Sequence, residues 1–171
     1  MQERTDMARI RKLVSGGQTG VDRAALDFAI EHGPPYGGWV PKGGRAEDMP
    51  NPPGLLAVYP NLREHSSRDW APRTKANIVN SNATLVIYDG HHQKGPGTKL
   101  TINLANSLNK PLLILNIRSE AVVNVAQMEV FLTQFDCDIA LNVAGSRESS
   151  IPGIYEAAKR VLATFDGLFT S

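Results

Sequence analysis

The stretch LVSGGQTGVDRAALDFAIEHG, residues 13–33, changes its hydrophobic period midway, and that change decides how the chain is read. An apolar start at Leu13 and Val14 breaks at a glycine turn. Val21, Ala25, Phe28 and Ala29 then recur at helical spacing until Gly33 offers a C-cap. Strand, tight turn and helix follow in succession, and the cycle repeats downstream. GGWV from Gly37 reads as a second strand, ATLVIYDG from Ala83 as a third, PLLILNI from Pro111 as a fourth and DIALNV from Asp138 as a fifth. Between them, PRTKANIVNS begins with a proline suited to a first helical turn, and TKLTINLANSLN places Leu100, Leu104 and Leu108 on one face. Ser119 is positioned to cap a helix over EAVVNVAQMEVFLTQF, and PGIYEAAKRVLATF closes the chain with a last amphipathic helix.

Strands apolar on both faces, alternating with helices, imply a parallel sheet covered on both sides. The expected fold is therefore α/β: a doubly wound, mainly parallel Rossmann-like sheet of about five strands with helices on both faces. Pro41 to Ala71, with five prolines and little periodicity, reads as a long loop. Loops of that length in compact domains are often functional. A single domain over residues 1–171 is expected, with 1–11 as a flexible N-terminal segment.

Composition narrows the function. The 18 Lys and Arg residues against 17 Asp and Glu leave a net charge of +1, which excludes a surface built to coat nucleic acid and makes any cationic site local. The lone Cys137 excludes an intramolecular disulfide and a thiolate zinc cluster. No stretch approaches 18 consecutive apolar residues, and the N-terminus MQERTDMARIRK is too polar for a secretory signal, so no membrane partner and a cytoplasmic location are expected.

In open parallel sheets the ligand crevice lies beyond the carboxyl ends of the strands, so the loops that follow strands carry the chemistry. Here they are GGQTGVDR from Gly16, PKGGRAED from Pro41, DGHHQKGPGT from Asp89 and AGSRES from Ala144. Each joins glycines to a cation near the start of a helix or coil. First-turn N–H groups lack helical partners and the helix dipole favours negative charge there, so such loops suit a phosphate or similar anion. Arg23, Lys42, Arg45, Lys94, Lys99 and Arg147 map to these loops, and Arg73 to the helix before the third strand, one turn ahead of Asn77 on the same face. Glycines also make plain tight turns and cations also solvate surfaces; it is the grouping that points to an anion. The first loop matches neither GxxxxGK[ST] nor GxGxxG, which disfavours ordinary ATPase and dehydrogenase readings.

Taken together, SGGQTGVDRAALDFA, GGWVPKGGRAED, PRTKANIVNSNATLV, GPGTKLT and LNVAGSRESSIPGIY resemble the molybdenum cofactor carrier family from Leu13 to Phe165. That family is grouped with the Rossmann-like superfamily of cytokinin-activating phosphoribohydrolases ("lysine decarboxylase-like") and DNA-processing proteins, whose shared theme is binding of nucleotides or nucleotide-derived ligands. The resemblance implies that Gly16, Gly17, Thr19 and Gly20 lie under the ligand with Gln18 and Arg23 at its polar groups. Gly95, Gly97 and Thr98 match a second glycine signature. The phosphoribohydrolases place a catalytic glutamate three residues after that threonine, where this chain has Thr101, and the difference tilts the reading from enzyme to binder.

The expected ligand is molybdenum cofactor or a nucleotide-like molecule bearing phosphate. Beyond the residues just named, the expected site takes Lys42, Gly43 and Arg45 from the second loop and Arg73, Thr74 and Asn77 from the helix. It further takes Asp89 from the third loop and Gly145, Ser146, Arg147 and Glu148 from the last. Asp22, Asp89 or Glu148 is placed to hold a magnesium ion beside the phosphate, or equally to cap a helix or orient an arginine. Adjacent His91 and His92 would point to opposite faces of an extended chain and suit no shared metal. Trp39, Tyr59 and Trp70 are placed to stack on a planar ring or to fill the core. The alternative function is a hydrolase or N-glycosidase acting on a nucleotide-derived substrate, with Asp22, Asp89 or Glu148 supplying the carboxylate. Apolar residues on more than one face of the helix after Ser119 suit a subunit contact, and the resemblance, to a family associated with tetramers, implies a homo-oligomer, dimer or tetramer.

Overall fold

A computed structural model describes residues 7–91 and 94–171. Six strands form one sheet in the order β3-β2-β1-β6-β4-β5, and every pairing is parallel. The strands are β1 (Ile10–Val14), β2 (Tyr36–Val40), β3 (Leu62–Glu64), β4 (Ala83–Tyr88), β5 (Leu112–Asn116) and β6 (Ile139–Gly145). The helices are α1 (Val21–His32), α2 (Leu55–Val58), α3 (Trp70–Val79), α4 (Pro96–Ser107), α5 (Ala121–Leu132) and α6 (Ile154–Ala163). In the common doubly wound order 3-2-1-4-5-6 the fourth strand adjoins the first. Here the last strand enters the centre instead, with Leu13 opposite Leu141 on one side and Val86 opposite Ala144 on the other.

The sixth strand, β3, lies inside the segment expected to be a loop, and so does the short helix α2. Leu62 is the only buried residue of LRE, so β3 has no alternation long enough to register as a strand. A satellite core of Leu26, Val40, Ala46, Leu55, Tyr59 and Leu62 holds this segment against α1 and β2. The N-terminal segment expected to be flexible joins the sheet earlier than Arg11. Ile10 is fully buried in β1, and Ala8 is buried before it. Residues 1–6 lie outside the described residues.

The main core joins β1, β4, β5 and β6 to α1, α5 and α6 through Leu13, Phe28, Leu85, Met128, Leu141 and Phe165, among others. Between the sheet and the pair α3 and α4 the buried residues are smaller and more polar: Thr84, Asn142, Asn77, Ser81, Thr98, Thr101 and Ala105. A parallel sheet buried on both faces usually shows continuous apolar runs. The floor on this side is therefore more polar than the main core.

Candidate functional site

Chain direction reverses across the middle of the sheet: β1 leads outward to β2 and β3, β4 leads outward to β5, and β6 lies between. Ligand crevices form at such switch points. A cavity of about 480 Å³ opens there, walled by four elements. Gly16, Gln18 and Asp22 come from the β1–α1 turn; Trp70, Arg73, Thr74 and Asn77 from α3; Gly95, Gly97, Thr98 and Thr101 from the start of α4; and Asn142, Gly145, Ser146 and Arg147 from β6 and the loop after it. The glycine loops after β1, β4 and β6 thus meet at one edge.

Arg73 and Asp22 form the centre of the inner wall. Their side chains are 10% and 8% exposed, and Arg73 Nη1 lies 3.3 Å from Asp22 Oδ2. Burial pushes the Asp22 carboxyl above its ordinary range, and the Arg73 guanidinium, with the main chain at Gln18 and Gly145, offsets part of that rise. The guanidinium lies against Gly16, where a Cβ would stand 1.4 Å from Nη1. Arg73 Nε, also buried, has no hydrogen-bond partner among the described residues.

Gln18 has a similar half-satisfied side chain. Its Oε1 accepts from the main-chain N–H of Thr19 (3.1 Å) and of Glu47 (2.9 Å), while its buried Nε2 has no partner among the described residues. Glu47 in turn brackets three loops, accepting from the hydroxyls of Thr19 and Ser149 and pairing with Arg147 at 3.7 Å. Partial burial acts to raise its carboxyl, but those contacts prevail and hold it low.

The two glycine loops differ in what their glycines make room for. At Gly20 a Cβ would stand 2.2 Å from the Ser146 carbonyl oxygen, and that carbonyl accepts from Val21 N at 3.1 Å, so the start of α1 is closed by the protein itself. At Gly95 and Gly97 a Cβ would meet nothing within 4 Å among the described residues. The first turn of α4 therefore faces open cavity, with the N–H of Gly97 and Thr98 lacking helical acceptors.

The remaining expected site residues separate clearly. Arg23 grips Asp48 through both terminal nitrogens at 2.9 Å and Gly17 O through Nε at 3.1 Å, which holds the Asp48 carboxyl low and ties the second loop to the first. Asn77 clamps β2, accepting from Trp39 N and donating to Trp39 O, and Thr74 bonds back to Trp70 O. Glu148 caps α6 through the N–H of Gly153 and Tyr155. Asp89 accepts from His91 N and faces Arg118. Neither Glu148 nor Asp89 lines the cavity, and among the described residues no three His, Cys, Asp or Glu side chains gather as a metal site. His92 lies outside the described residues. Lys42 and Gly43 also stand off the cavity, Gly43 N donating to Glu64. Thr101 does line it, with its hydroxyl bonded back to Gly97 O.

Trp70 lines the cavity, and the guanidinium carbons of Arg45, Arg147 and Arg73 lie 5.4, 5.4 and 5.7 Å from its ring centre. Glu47, Ser149 and Asn142 were not expected as site residues. Asn142 had a readable signal, a polar residue in the apolar strand DIALNV; the pairings of Glu47 had none.

No curated protein matches the chain. A crystal structure of the "Putative molybdenum carrier protein" from Syntrophus aciditrophicus SB superposes with a TM-score of 0.82 at 40% identity, covering 92% of this chain and 96% of that one. Residues 13–165 match the Circularly permutated YpsA SLOG family. The chain belongs to that family, within the SLOG group, and shares its Rossmann-like fold with the molybdenum carrier protein it is similar to.

Proposed function

We propose that this protein is a carrier: it holds a phosphate-bearing cargo, molybdenum cofactor or a nucleotide-like derivative, in the cavity at the carboxyl edge of the sheet. One observation supports this reading above the others. Gln18 and Arg73, residues 5% and 8% exposed, line one cavity, and each keeps an N–H donor that nothing in the described protein accepts. Buried donors without partners cost stability, so such groups call for an outside acceptor. The open first turn of α4 adds main-chain donors and the positive end of a helix dipole. A pterin cofactor held by its phosphate needs no metal ligand from the protein, which suits a wall without thiolates.

A second reading, hydrolysis of a nucleotide-derived substrate, draws on Asp22 alone. Its raised carboxyl at the cavity wall has the character of a general acid or base. Mass spectrometry of whatever co-purifies with the native protein tests the carrier reading, and incubation with nucleoside monophosphates and molybdopterin, followed by product chromatography, separates the two. Binding without turnover sustains the carrier; turnover abolished in Asp22→Asn replaces it with the hydrolase.

The protein is further proposed to self-associate through α5. Val122 and Val130 are 69% and 71% exposed on a helix whose only charge is Glu129, beside Leu113 of the edge strand β5. No helix among the described residues is long and apolar enough to cross a membrane.

A further inference from the structure

We infer that Glu47 is a built-in counter-ion that weakens the cavity's hold on an anion, by engaging Arg147 and Ser149, two wall residues that an anionic group would otherwise draw on. The inference rests on the proposed phosphate site and adds a residue that sets how readily the site lets its cargo go.

The two arginines of the wall are neutralised differently. Arg73 faces Asp22 at 3.3 Å, with both side chains buried. Arg147 faces Glu47 at 3.7 Å, past hydrogen-bond reach, and these side chains are 40% and 25% exposed. An ion pair so placed is weak, because water screens it and neither partner is locked. Arg147 and Ser149 line the cavity, whereas Glu47 does not. The carboxylate therefore acts on the cavity through its neighbours. It accepts from the Ser149 hydroxyl at 2.7 Å and from that of Thr19, and its charge offsets the Arg147 guanidinium. Trp70, its ring centre 5.4 Å from the guanidinium carbon, gives Arg147 a second support on the cavity wall.

As a tether, the Glu47 side chain is redundant. The turn that carries it is closed by reciprocal main-chain bonds between Ala46 and Met49, at 3.0 and 3.1 Å. Ala46 is buried, Glu47 N donates to Gln18 Oε1 at 2.9 Å, and Arg23 grips Asp48 through two bonds of 2.9 Å. The turn stays seated without the Glu47 carboxylate, so what that side chain contributes at the wall is its charge. Partial burial acts to raise the carboxyl, but the hydroxyls of Thr19 and Ser149 and the Arg147 charge prevail and keep it ionised at neutral pH. A negative charge there opposes an anion both by repulsion and by occupying the cation. A carrier has to release as well as bind, and affinity differences of this kind fall mainly on the dissociation rate.

Glu47→Gln removes the charge and keeps a side chain able to bond both hydroxyls, since a carboxamide accepts at one end and donates at the other. Inorganic pyrophosphate is titrated calorimetrically into wild type, Glu47→Gln, Arg147→Ala and the double variant at low and high salt, with urea melts of all four. Glu47→Gln is expected to bind about 3- to 10-fold more tightly, the scale of one unit charge removed about 8 Å from an anion near a protein surface, with little change in the urea midpoint. The gain should shrink at high salt, where exposed charges are screened, and shrink again in the Arg147→Ala background, which has no guanidinium to release. A tether role gives the opposite sign. Wild-type binding with equal or weaker binding in Glu47→Gln overturns the inference, as does a gain that is indifferent to salt or undiminished without Arg147. Absence of pyrophosphate binding to both wild type and Glu47→Gln overturns the phosphate site itself.

Discussion

Removing Arg73 should cost this protein stability before it costs affinity, and the reason is Asp22. Arg73→Ala leaves a carboxylate 8% exposed without its countercharge. Breaking a buried ion pair by deleting one partner costs about 3–5 kcal/mol, because the remaining charge is neither solvated nor neutralised. Both side chains are too buried for solvent to screen that loss. The pH dependence has a definite sign. Asp22 already titrates above its ordinary 3.8, and Arg73 is the largest influence pulling it down. Without Arg73 its folded value rises further. A raised carboxyl favours the folded state below its unfolded value and loses that contribution as pH rises through the folded value. The Arg73→Ala deficit should therefore be largest near neutrality and shrink on acidification. Urea melts at several pH values, on Arg73→Ala, Asp22→Asn and the double variant, measure this directly. The double variant should recover much of the loss, with a coupling toward the upper end of about 0.5–3 kcal/mol. A deficit in Arg73→Ala below about 1 kcal/mol, or one that is flat with pH and unrelieved by Asp22→Asn, would refute the pairing argument.

Glycine replacements should divide by what each glycine faces. Gly97→Ala should stabilise α4 by about 0.4–1 kcal/mol while weakening pyrophosphate binding, whereas Gly20→Ala, at φ +81° and 2.2 Å from a carbonyl, should destabilise by about 1 kcal/mol or more; urea melts with calorimetry check both, and equal costs would contradict the distinction. Tyr59 and Tyr155 donate to the two oxygens of Asp27 at 2.5 and 2.6 Å, and burial with those bonds pushes both phenols above their ordinary 10.0. Their contribution to stability is present below that value and lost as pH rises through the folded values, so an alkaline absorbance titration should show a late phenolate component that Asp27→Asn moves to lower pH. On α5, Val130→Glu should convert an oligomer to monomers in light scattering with the urea midpoint of the monomer unchanged, and a wild type already monomeric at micromolar concentration would remove the proposed contact.

How far the residues announced this site depends on whether their role is local. The change of period across residues 13–33 is local, and the turn, α1 and the Gly33 cap stand where the sequence places them, the cap with φ +95°, while β1 begins at Ile10, ahead of the apolar start at Leu13. β3 is not local in that sense: three residues with one buried side chain become a strand only because Gly38, Trp39 and Val40 of β2 supply a partner. Its stability comes from tertiary packing, which no periodicity within LRE records. The start of α5 also shifts, to Glu120 as N-cap rather than Ser119, without a side-chain capping bond.

The glycines teach the same distinction at the site. In sequence, SGGQTG and KGPG look alike, and both suggest backbone bared for a phosphate. In the folded protein Gly16 makes room for the Arg73 guanidinium and Gly20 for the Ser146 carbonyl, so two glycines of the first loop serve contacts made by residues more than fifty positions away. Gly95 and Gly97 make room for nothing in the described protein, as do Gly33, Gly153 and Gly167, but of these five only Gly95 and Gly97 line the cavity. The cations divide in parallel: Arg23 is engaged by Asp48, while Arg73 and Arg147 reach the cavity. Counting glycines and cations therefore finds the edge of the sheet where the cavity opens, because loops after parallel strands must gather there. It cannot separate a glycine that admits a ligand from one that admits an arginine. What separates them is the space beside each glycine, and that space is set only once loops distant in the chain have closed on one another.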